Sequence, residues 1–355
     1  MMTDCGVKEN YNVIIIGAGP AGLSAALNLH KGGIRDILVV ERFKFPRYKC
    51  CAGYITEKTK RAYEALGLDI GECDYSLIKD FKIAYKLKER LKIDNKFLYT
   101  NAKIDRVQLD NAFFGVARSE GIAVLEGTKI VGHEPNNNTV TLSNNRVLGY
   151  KHLVFADGAT GFSGRYQKVK KSNIALQLTF PCDRKEEIAI HFGITKRGYG
   201  WVSSYGGTVN VGLTDVYDGK TDYRQVFCGF LQKLNISADT KELKGAFTPI
   251  GVRKPVLFDN VYFVGDAVGA CDPLTLSGLR YGLASGERCA KAIIKNNSKI
   301  YCRYARNLKH RFRFMRLMQK AFYLKAIMFL TFCVCCKFFG RMVSYVFNNF
   351  FVNKK

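Results

Sequence analysis

Acidic residues are missing from the last part of this 355-residue chain. None of the 68 residues after Glu287 is Asp or Glu, whereas 16 of them are Lys or Arg. The chain as a whole has a formal net charge of +25, and this segment supplies most of it. A basic segment attracts anionic partners, of which membrane lipids and nucleic acids are the common ones. No nucleic-acid-binding motif accompanies the charge, so we expect no nucleic-acid partner.

Metal-ligand patterns and long apolar runs are also missing. The five histidines are scattered, and the twelve cysteines contain no CxxC pair matched by a second CxxC or by paired histidines. We therefore expect no structural zinc site. The first ten residues are polar and do not resemble an export signal, which predicts free thiols in a reducing compartment. Residues 326–336 carry no charge, but spanning a bilayer takes about 20 apolar residues.

Glycines mark the first functional motif. The run VIIIGAGPAG near the N-terminus is a short apolar strand that leads into a GxGxxG turn. Gly17 permits the tight turn, Gly19 lets a pyrophosphate approach the backbone, and Gly22 lets the next helix pack on the strand. The start of that helix, with Pro20 and Ala21, offers unpaired N–H groups and a partial positive charge to phosphates. This pattern predicts a dinucleotide site.

Two further features identify the dinucleotide. Residues 37–40 form a second apolar strand that ends in Glu41, and an acid at this point suits hydrogen bonds to ribose hydroxyls. We place Glu41 and the adjoining Arg42 in the predicted cofactor site. Almost a whole chain later, residues 261–267 read VYFVGDA, another apolar run that ends in Gly-Asp. The two glycine motifs, in this order, indicate an FAD enzyme.

Several stretches of residues 11–295 resemble the geranylgeranyl reductase family, within the p-hydroxybenzoate hydroxylase-like group. Ala52 stands where the family has glycine, and Ser203 and Ser204 stand where it has Phe-Pro. Beyond GAGPAG, the matching stretches are FPRYKCCAG at 45–53, Arg106 in IDRVQLD, FADGA at 155–159, GYGWV at 198–202, and GDA at 265–267 with DPLT at 272–275 and SGL at 277–279.

The resemblance implies a role for each matched residue. Around the flavin ring it places Cys51 and Ala52 beside the isoalloxazine, with the backbone N–H groups of Gly278 and Leu279 facing its electron-rich edge. Elsewhere it implies that Arg106 opens a helix near FAD, that the backbone of Ile130 meets adenine, and that Asp266 accepts a hydrogen bond from the ribityl or pyrophosphate region.

The resemblance also implies a reaction, the saturation of isolated double bonds in a polyprenyl (geranylgeranyl-type) lipid by hydride from reduced FAD. Such a bond has no carbonyl to polarise it, so a proton must reach the second carbon. Cys51 and Tyr199 are the candidate proton donors, and Trp201, the one tryptophan, is expected to wall the prenyl channel. The electron donor stays open among ferredoxin, a quinol and NAD(P)H. Two alternatives stay open as well: an FAD-dependent monooxygenase or epoxidase of a hydrophobic substrate, and a membrane-docked flavoprotein electron carrier.

The expected fold class is α/β. A Rossmann-like FAD-binding domain (residues 1–75, 101–170 and 256–295) is interleaved with an antiparallel β-sheet substrate domain (residues 76–100 and 171–255). A basic helical region follows at residues 296–355. Its mixture of basic, aromatic and apolar residues predicts that residues 300–355 dock on an anionic membrane surface, at the cytoplasmic face. A helical lid over a lipid tunnel is the alternative for this region.

Overall fold

The computed structural model describes residues 7–94, 98–101, 106–167, 172–183 and 185–335. Its strands form three sheets, and helices cover them. The strands are β1 (Asn10–Ile16), β2 (Ile37–Val40), β3 (Ile55–Thr56), β4 (Tyr75–Leu77), β5 (Asp80–Tyr85), β6 (Lys88–Asp94), β7 (Leu98–Asn101), β8 (Ala123–Leu125), β9 (Ile130–Glu134), β10 (Thr139–Leu142), β11 (Val147–Phe155), β12 (Ser172–Pro181), β13 (Glu187–Phe192), β14 (Tyr199–Tyr205), β15 (Thr208–Val216), β16 (Lys244–Pro249), β17 (Leu257–Phe258) and β18 (Val261–Phe263).

The described residues form seven α-helices. They are α1 (Pro20–Lys31), α2 (Glu57–Glu64), α3 (Val107–Ser119), α4 (Tyr223–Lys233), α5 (Leu279–Ile294), α6 (Lys299–Phe322) and α7 (Lys325–Phe329), which continues as a π-helical turn (Leu330–Cys335).

The first large sheet carries the glycine motifs. Its strand order is β17-β18-β11-β1-β2-β8, and β10 and β9 continue from β11 as an antiparallel meander. β1 is parallel to both β2 and β11, and β18 is parallel to β11. Every residue of β2 and the last four of β1 are buried, as expected of parallel strands covered on both faces. The predicted Rossmann-like sheet is confirmed.

Two helices far apart in the chain pack together on this sheet. α1 follows β1 directly, and α5 follows β18 almost 250 residues later. The Ser24 hydroxyl of α1 donates a hydrogen bond to the carbonyl of Leu283 in α5, at 2.8 Å. The two helices therefore run side by side, and their N-termini meet at the same edge of the sheet.

The second large sheet has the order β16-β12-β15-β14-β13-β5-β6. Its pairs are antiparallel except β13 with β5, which are parallel. α4 covers one face, where Phe227 and Phe230 pack against Val202 and Val211. Because side chains alternate along a strand, Tyr199, Trp201 and Ser203 of β14 point to the opposite face, toward the flavin domain.

Two local predictions differ from the observed elements. Residues 81–88 alternate like one strand, but β5 ends at Tyr85 because Lys86 and Leu87 both have positive φ and turn the chain into β6. α4 lies within residues 171–255, where the sequence predicts an antiparallel sheet of short strands and no helix is named; its buried Phe227, Phe230 and Leu231 follow helical spacing. The predicted helix at residues 103–120 is α3, which begins at Val107, and residues 102–105 lie outside the described part of the chain.

α6 is a 24-residue helix with one buried side. Tyr301 packs into the core around α1 and α5, and Leu308 and Phe312 pack into the core on the other face of the first sheet. After α6 the chain bends, and Tyr323, Met328 and Phe332 pack against the second sheet. Among the described residues no single helix is long and apolar enough to cross a bilayer; only α6 together with residues 325–334 reaches that length and hydropathy, and the pair is bent by 77°.

Candidate functional site

The first glycine motif forms the turn between β1 and α1. Gly17 has φ +109°, and a Cβ there would lie 2.5 Å from the carbonyl oxygen of Ala156. A Cβ on Gly22 would lie 2.0 Å from the carbonyl oxygen of Gly17. Side chains are excluded at both positions, so the turn stays open to a ligand. Pro20 is the first residue of α1 and no described side chain caps the helix, which leaves the N–H groups of its first turn, including that of Ala21, available to an anion.

Glu41 lies beside this turn at the end of β2. One carboxylate oxygen accepts a hydrogen bond from Ala18 N–H at 2.8 Å, and the other accepts one from Phe43 N–H at 3.0 Å. The side chain is buried and holds the turn in shape. Carboxylate oxygens accept more than one hydrogen bond, so both can also receive the ribose hydroxyls predicted there.

The other residues predicted near the adenosine end are spread around Glu41. Thr128 N–H donates to the Glu41 carbonyl at 3.0 Å, which brings the start of β9, with the buried Ile130, next to that end of the site. Arg42 is exposed, and its guanidinium lies 4.6 Å above the Phe43 ring.

The second glycine motif meets the first. A Cβ on Gly265 would lie 2.7 Å from the Cβ of Ala21 in α1. Asp266 follows Gly265 and is partly exposed, with its Oδ2 3.9 Å from Nζ of Lys49. Gly278 is the N-cap of α5, and no described side chain caps that helix either. The uncapped N-termini of α1 and of α5, which begins at Leu279, therefore lie close together.

Arg47 is a site residue that the sequence motifs do not single out. Its Nη2 lies 3.5 Å from where a Cβ of Gly19 would be and 3.4 Å from Oδ2 of Asp110. The guanidinium also lies 5.0 Å from the centre of the Phe45 ring, while its buried Nε makes no hydrogen bond to the described residues. A cation is thus fixed over Gly19, where a pyrophosphate is expected. The signal in the sequence is that Arg47 and Lys49 flank Tyr48 in the matched stretch before Cys51.

Arg106 belongs to the same charged cluster. It is the N-cap of α3, as the resemblance implies, and is buried with its Nε 2.8 Å from Oδ1 of Asp110. Burial disfavours its charge, but the adjacent Asp110 carboxylate keeps the pKa of Arg106 raised. Asp110 therefore joins two arginines, Arg106 in the core and Arg47 at the glycine turn. The i, i+4 spacing from Arg106 is the signal that could have found Asp110.

The residues predicted around the flavin ring lie between the two sheets. Cys51 is partly buried and its Sγ accepts the Gly53 N–H at 3.5 Å, with Ala52 partly buried between them. Tyr199 interacts electrostatically with Cys51. The Tyr199 hydroxyl donates to the carbonyl of Thr275, in the loop before α5, at 3.0 Å. Burial raises the pKa of Tyr199, so it stays protonated at neutral pH.

Trp201 lies flat on the flavin-facing side of the second sheet. A Cβ on Gly212 would meet its ring at 2.1 Å, so β15 has no side chain beneath the indole. Nε1 of Trp201 donates to Oδ1 of Asn210 at 2.6 Å. The indole is therefore held against β15 and is buried; its role as a wall of the prenyl channel stays a prediction.

The chain matches known proteins over most of its length. Residues 11–189 match the family model described as pyridine nucleotide-disulphide oxidoreductase. The chain belongs to this family. Its cofactor is FAD, and it is an FAD-dependent oxidoreductase; the glycine turn, the uncapped helices and Arg47 fit the pyrophosphate of that cofactor.

The curated relatives are about a quarter identical to this chain. An uncharacterized protein of Methanosarcina barkeri is 26% identical, covering 89% of this chain and 83% of the relative. The menaquinone reductase of Mycobacterium tuberculosis is 26% identical, with coverages of 81% and 77%. The digeranylgeranylglycerophospholipid reductase of Methanococcus vannielii is 26% identical, with coverages of 82% and 80%. The resemblance to the geranylgeranyl reductase family is confirmed.

Solved structures show the same fold. A geranylgeranyl bacteriochlorophyll reductase-like protein from Thermoplasma acidophilum superposes with a TM-score of 0.74 at 18% identity, covering 89% of this chain and 88% of that one. PqsL of Pseudomonas aeruginosa, described as a probable FAD-dependent monooxygenase, gives 0.70 at 16% identity, with coverages of 90% and 97%. At these identities the likeness establishes architecture alone.

Asp266→Ala should lower FAD affinity. We expect a loss of roughly tenfold or more, because a hydrogen bond to a charged group contributes about 1.5–3 kcal/mol. The measurement is the dissociation constant of FAD for the flavin-free protein, by fluorescence titration. Glu287→Ala, which removes an exposed carboxylate from α5, is the control and should bind FAD like the wild type. Full FAD affinity in Asp266→Ala would mean that this carboxylate does not contact the cofactor.

Arg47→Met should also lower FAD affinity, by roughly tenfold or more, since it removes a cation from beside the pyrophosphate. Lys44→Met removes an exposed cation three residues away and is the matched control. Arg47→Lys keeps the charge next to Asp110 and should recover part of the loss. Equal affinities for all three variants in the same titration would assign Arg47 to the Asp110 ion pair alone.

Proposed function

We propose that this protein saturates isolated double bonds of a polyprenyl lipid, of the geranylgeranyl type, with hydride from its reduced FAD. The observation that carries the proposal is a continuous row of aromatic rings. It begins at Tyr199, which is bonded to the flavin loop through Thr275, and ends at the bend between α6 and α7. A polyprenyl chain is a long apolar molecule, and a lining of this kind is what it needs.

The rings of this row are close neighbours. Phe192 lies 6.0 Å from Tyr199, measured between ring centres, and 5.1 Å from Phe332, on which it stacks. Phe322 meets the Phe192 ring edge-on at 5.4 Å. Tyr85 stacks on Phe332 at 5.4 Å. The row therefore joins β5, β13 and β14 to the C-terminal helices.

The strands that carry Phe192 and Tyr199, and the two that continue the sheet from them, contain no cation, whereas β5, which carries Tyr85, contains Lys82. β12, β13, β14 and β15 contain no Lys or Arg, although basic residues make up 55 of the 355 in the chain. Bound FAD supplies the hydride, and the protein must position the alkene and keep water away. On the face of these strands that carries Trp201, the polar side chains Ser203, Asn210 and Thr214 are uncharged. We infer that this uncharged face, with Trp201 on it, positions the alkene. The names of the curated relatives, two of which are reductases of prenyl lipids or quinones, support this substrate class.

The outer side of the C-terminal helices supports docking on a membrane. Five large apolar side chains are more than half exposed there: Phe314, Leu317, Leu324, Phe329 and Leu330. Exposed basic side chains stand among them: Arg313, Lys320 and Lys325. Apolar residues bordered by cations bind the interface of anionic membranes. We place the protein on the cytoplasmic face of the membrane, where its lipid substrate and a donor such as ferredoxin, a quinol or NAD(P)H would meet.

An FAD-dependent monooxygenase of a hydrophobic substrate is the second candidate, because the architecture is shared with PqsL. It differs from the reductase in needing oxygen. A membrane-docked electron carrier differs from both, since its flavin would not respond to a lipid substrate at all.

Anaerobic reoxidation separates these functions. The purified protein is reduced with dithionite and mixed without oxygen with geranylgeranyl lipid, and the flavin absorbance is followed. We expect the lipid to reoxidise the flavin, and mass spectrometry to find two hydrogens added per saturated bond. A fully saturated lipid of the same length is the control and should leave the flavin reduced. Reoxidation that waits for air would favour the monooxygenase, and no response to any lipid would favour the carrier.

The double variant Leu317→Glu/Phe329→Glu should bind anionic vesicles at least tenfold more weakly than the wild type. The reason is that each apolar side chain contributes about 1.5–3 kcal/mol when fully buried. Sedimentation with vesicles of phosphatidylglycerol and phosphatidylcholine measures the affinity. Val131→Glu/Val147→Glu, two exposed apolar residues of the first sheet, is the matched control. Equal weakening of both double variants would show that α6 and α7 are not the docking surface.

A further inference from the structure

We propose that Tyr54 is the proton donor for the alkene carbon that does not receive the hydride. This inference rests on the proposed reductase function and adds a residue to it. Tyr54 lies three residues after Cys51, between the flavin domain and the second sheet, and its ring packs against the aromatic row that contains Tyr199 and Phe192.

Of the two donors expected from the sequence, Tyr199 is less suitable in the structure, and Cys51 has a structural contact of its own. The hydroxyl proton of Tyr199 is directed at the Thr275 carbonyl, at 3.0 Å, so donating it to a substrate would break the contact that holds the loop before α5. The Cys51 Sγ accepts the Gly53 N–H at 3.5 Å, which shapes the turn beside the expected position of the flavin.

The Tyr54 hydroxyl lies in a buried place, away from water. Its hydroxyl oxygen is fully buried and faces the Ser203 hydroxyl, which is itself buried, and neither oxygen completes a hydrogen bond of normal geometry among the described residues. Two buried oxygens without partners are costly unless a ligand or water completes them. Burial raises the pKa of Tyr54, so the hydroxyl keeps its proton at neutral pH until the substrate takes it.

Position distinguishes Tyr54 from other buried tyrosines near Cys51. Tyr63 and Tyr75 also have buried hydroxyls without partners in the described structure, but both pack in the core of the flavin domain around α1 and α3. Only Tyr54 of these three lies in the cluster that borders the proposed lipid path.

In the proposed step, one hydride and one proton add across the double bond. The hydride brings two electrons and forms one C–H bond, the alkene π bond breaks, and the second carbon forms a C–H bond with the proton from the Tyr54 oxygen. The lipid is reduced by two electrons and the flavin is oxidised by two. The Ser203 hydroxyl stabilises the resulting tyrosinate, which regains its proton from water before the next turnover.

The test compares Tyr54→Phe with Tyr75→Phe and Tyr199→Phe. In the anaerobic reaction with geranylgeranyl lipid, Tyr54→Phe should slow flavin reoxidation about 100-fold or more, the lower end of what a positioned acid contributes, with FAD and lipid affinities unchanged. The reaction should be slower in D₂O for the wild type, and this solvent effect should shrink in Tyr54→Phe. Tyr75→Phe removes an equally buried hydroxyl and should react like the wild type.

A second measurement needs no flavin. Removing a hydroxyl that has no partner should leave the melting temperature of the flavin-free protein unchanged or raised; a lowered melting temperature in Tyr54→Phe would assign the hydroxyl a structural role and overturn the proposal. A wild-type rate in Tyr54→Phe, or the large loss appearing in Tyr199→Phe instead, would also overturn it. A wild-type protein that never transfers hydride to the lipid would overturn the reductase function and this inference with it.

Discussion

The contact between α1 and α5 is the constraint on which the rest of this structure depends. These helices are separated by almost the whole chain, yet Ala21 and Gly265 approach so closely that no side chain fits on Gly265. The Ser285 hydroxyl of α5 accepts the Gly265 N–H at 2.8 Å and so ties the second glycine motif to its own helix. Because both helices begin at this point, two sets of unpaired N–H groups face one volume. An elongated dinucleotide can then be bound along its length by two segments that are far apart in the sequence.

Charge around that volume is balanced rather than uniformly positive. Asp110 lies between Arg47 and Arg106, and Asp266 faces Lys49. Asp110 neutralises two arginines that would otherwise be largely buried without a partner, while Lys49 is partly exposed. FAD brings two negative charges in its pyrophosphate, and a site with fixed, partly compensated arginines can take them without leaving strong repulsion in its absence.

The sequence predicts the strands and glycine turns of the site much better than its charged contacts. The all-apolar run before Gly17 and the Gly-Asp after β18 leave few alternatives, because buried parallel strands and tight turns restrict residue type severely. The contact of Arg47 with Asp110 and its place over Gly19 depend on where separate segments come together, and no local pattern reports this. The turn at Lys86 and Leu87 is hidden for another reason, since positive φ is rare for such residues. α4 is missed because its phenylalanines also suit strands.

The buried side of α6 links the proposed membrane attachment to folding. The Tyr301 hydroxyl donates to the Phe263 carbonyl at the end of β18, directly before the second glycine motif, and Phe312 fills the core on the opposite face of that sheet. The helix that we propose to meet the membrane is thus also a wall of the cofactor domain. A soluble form for crystallisation cannot be made by cutting the chain before α6; it has to keep the whole helix and exchange only its outward-facing apolar side chains.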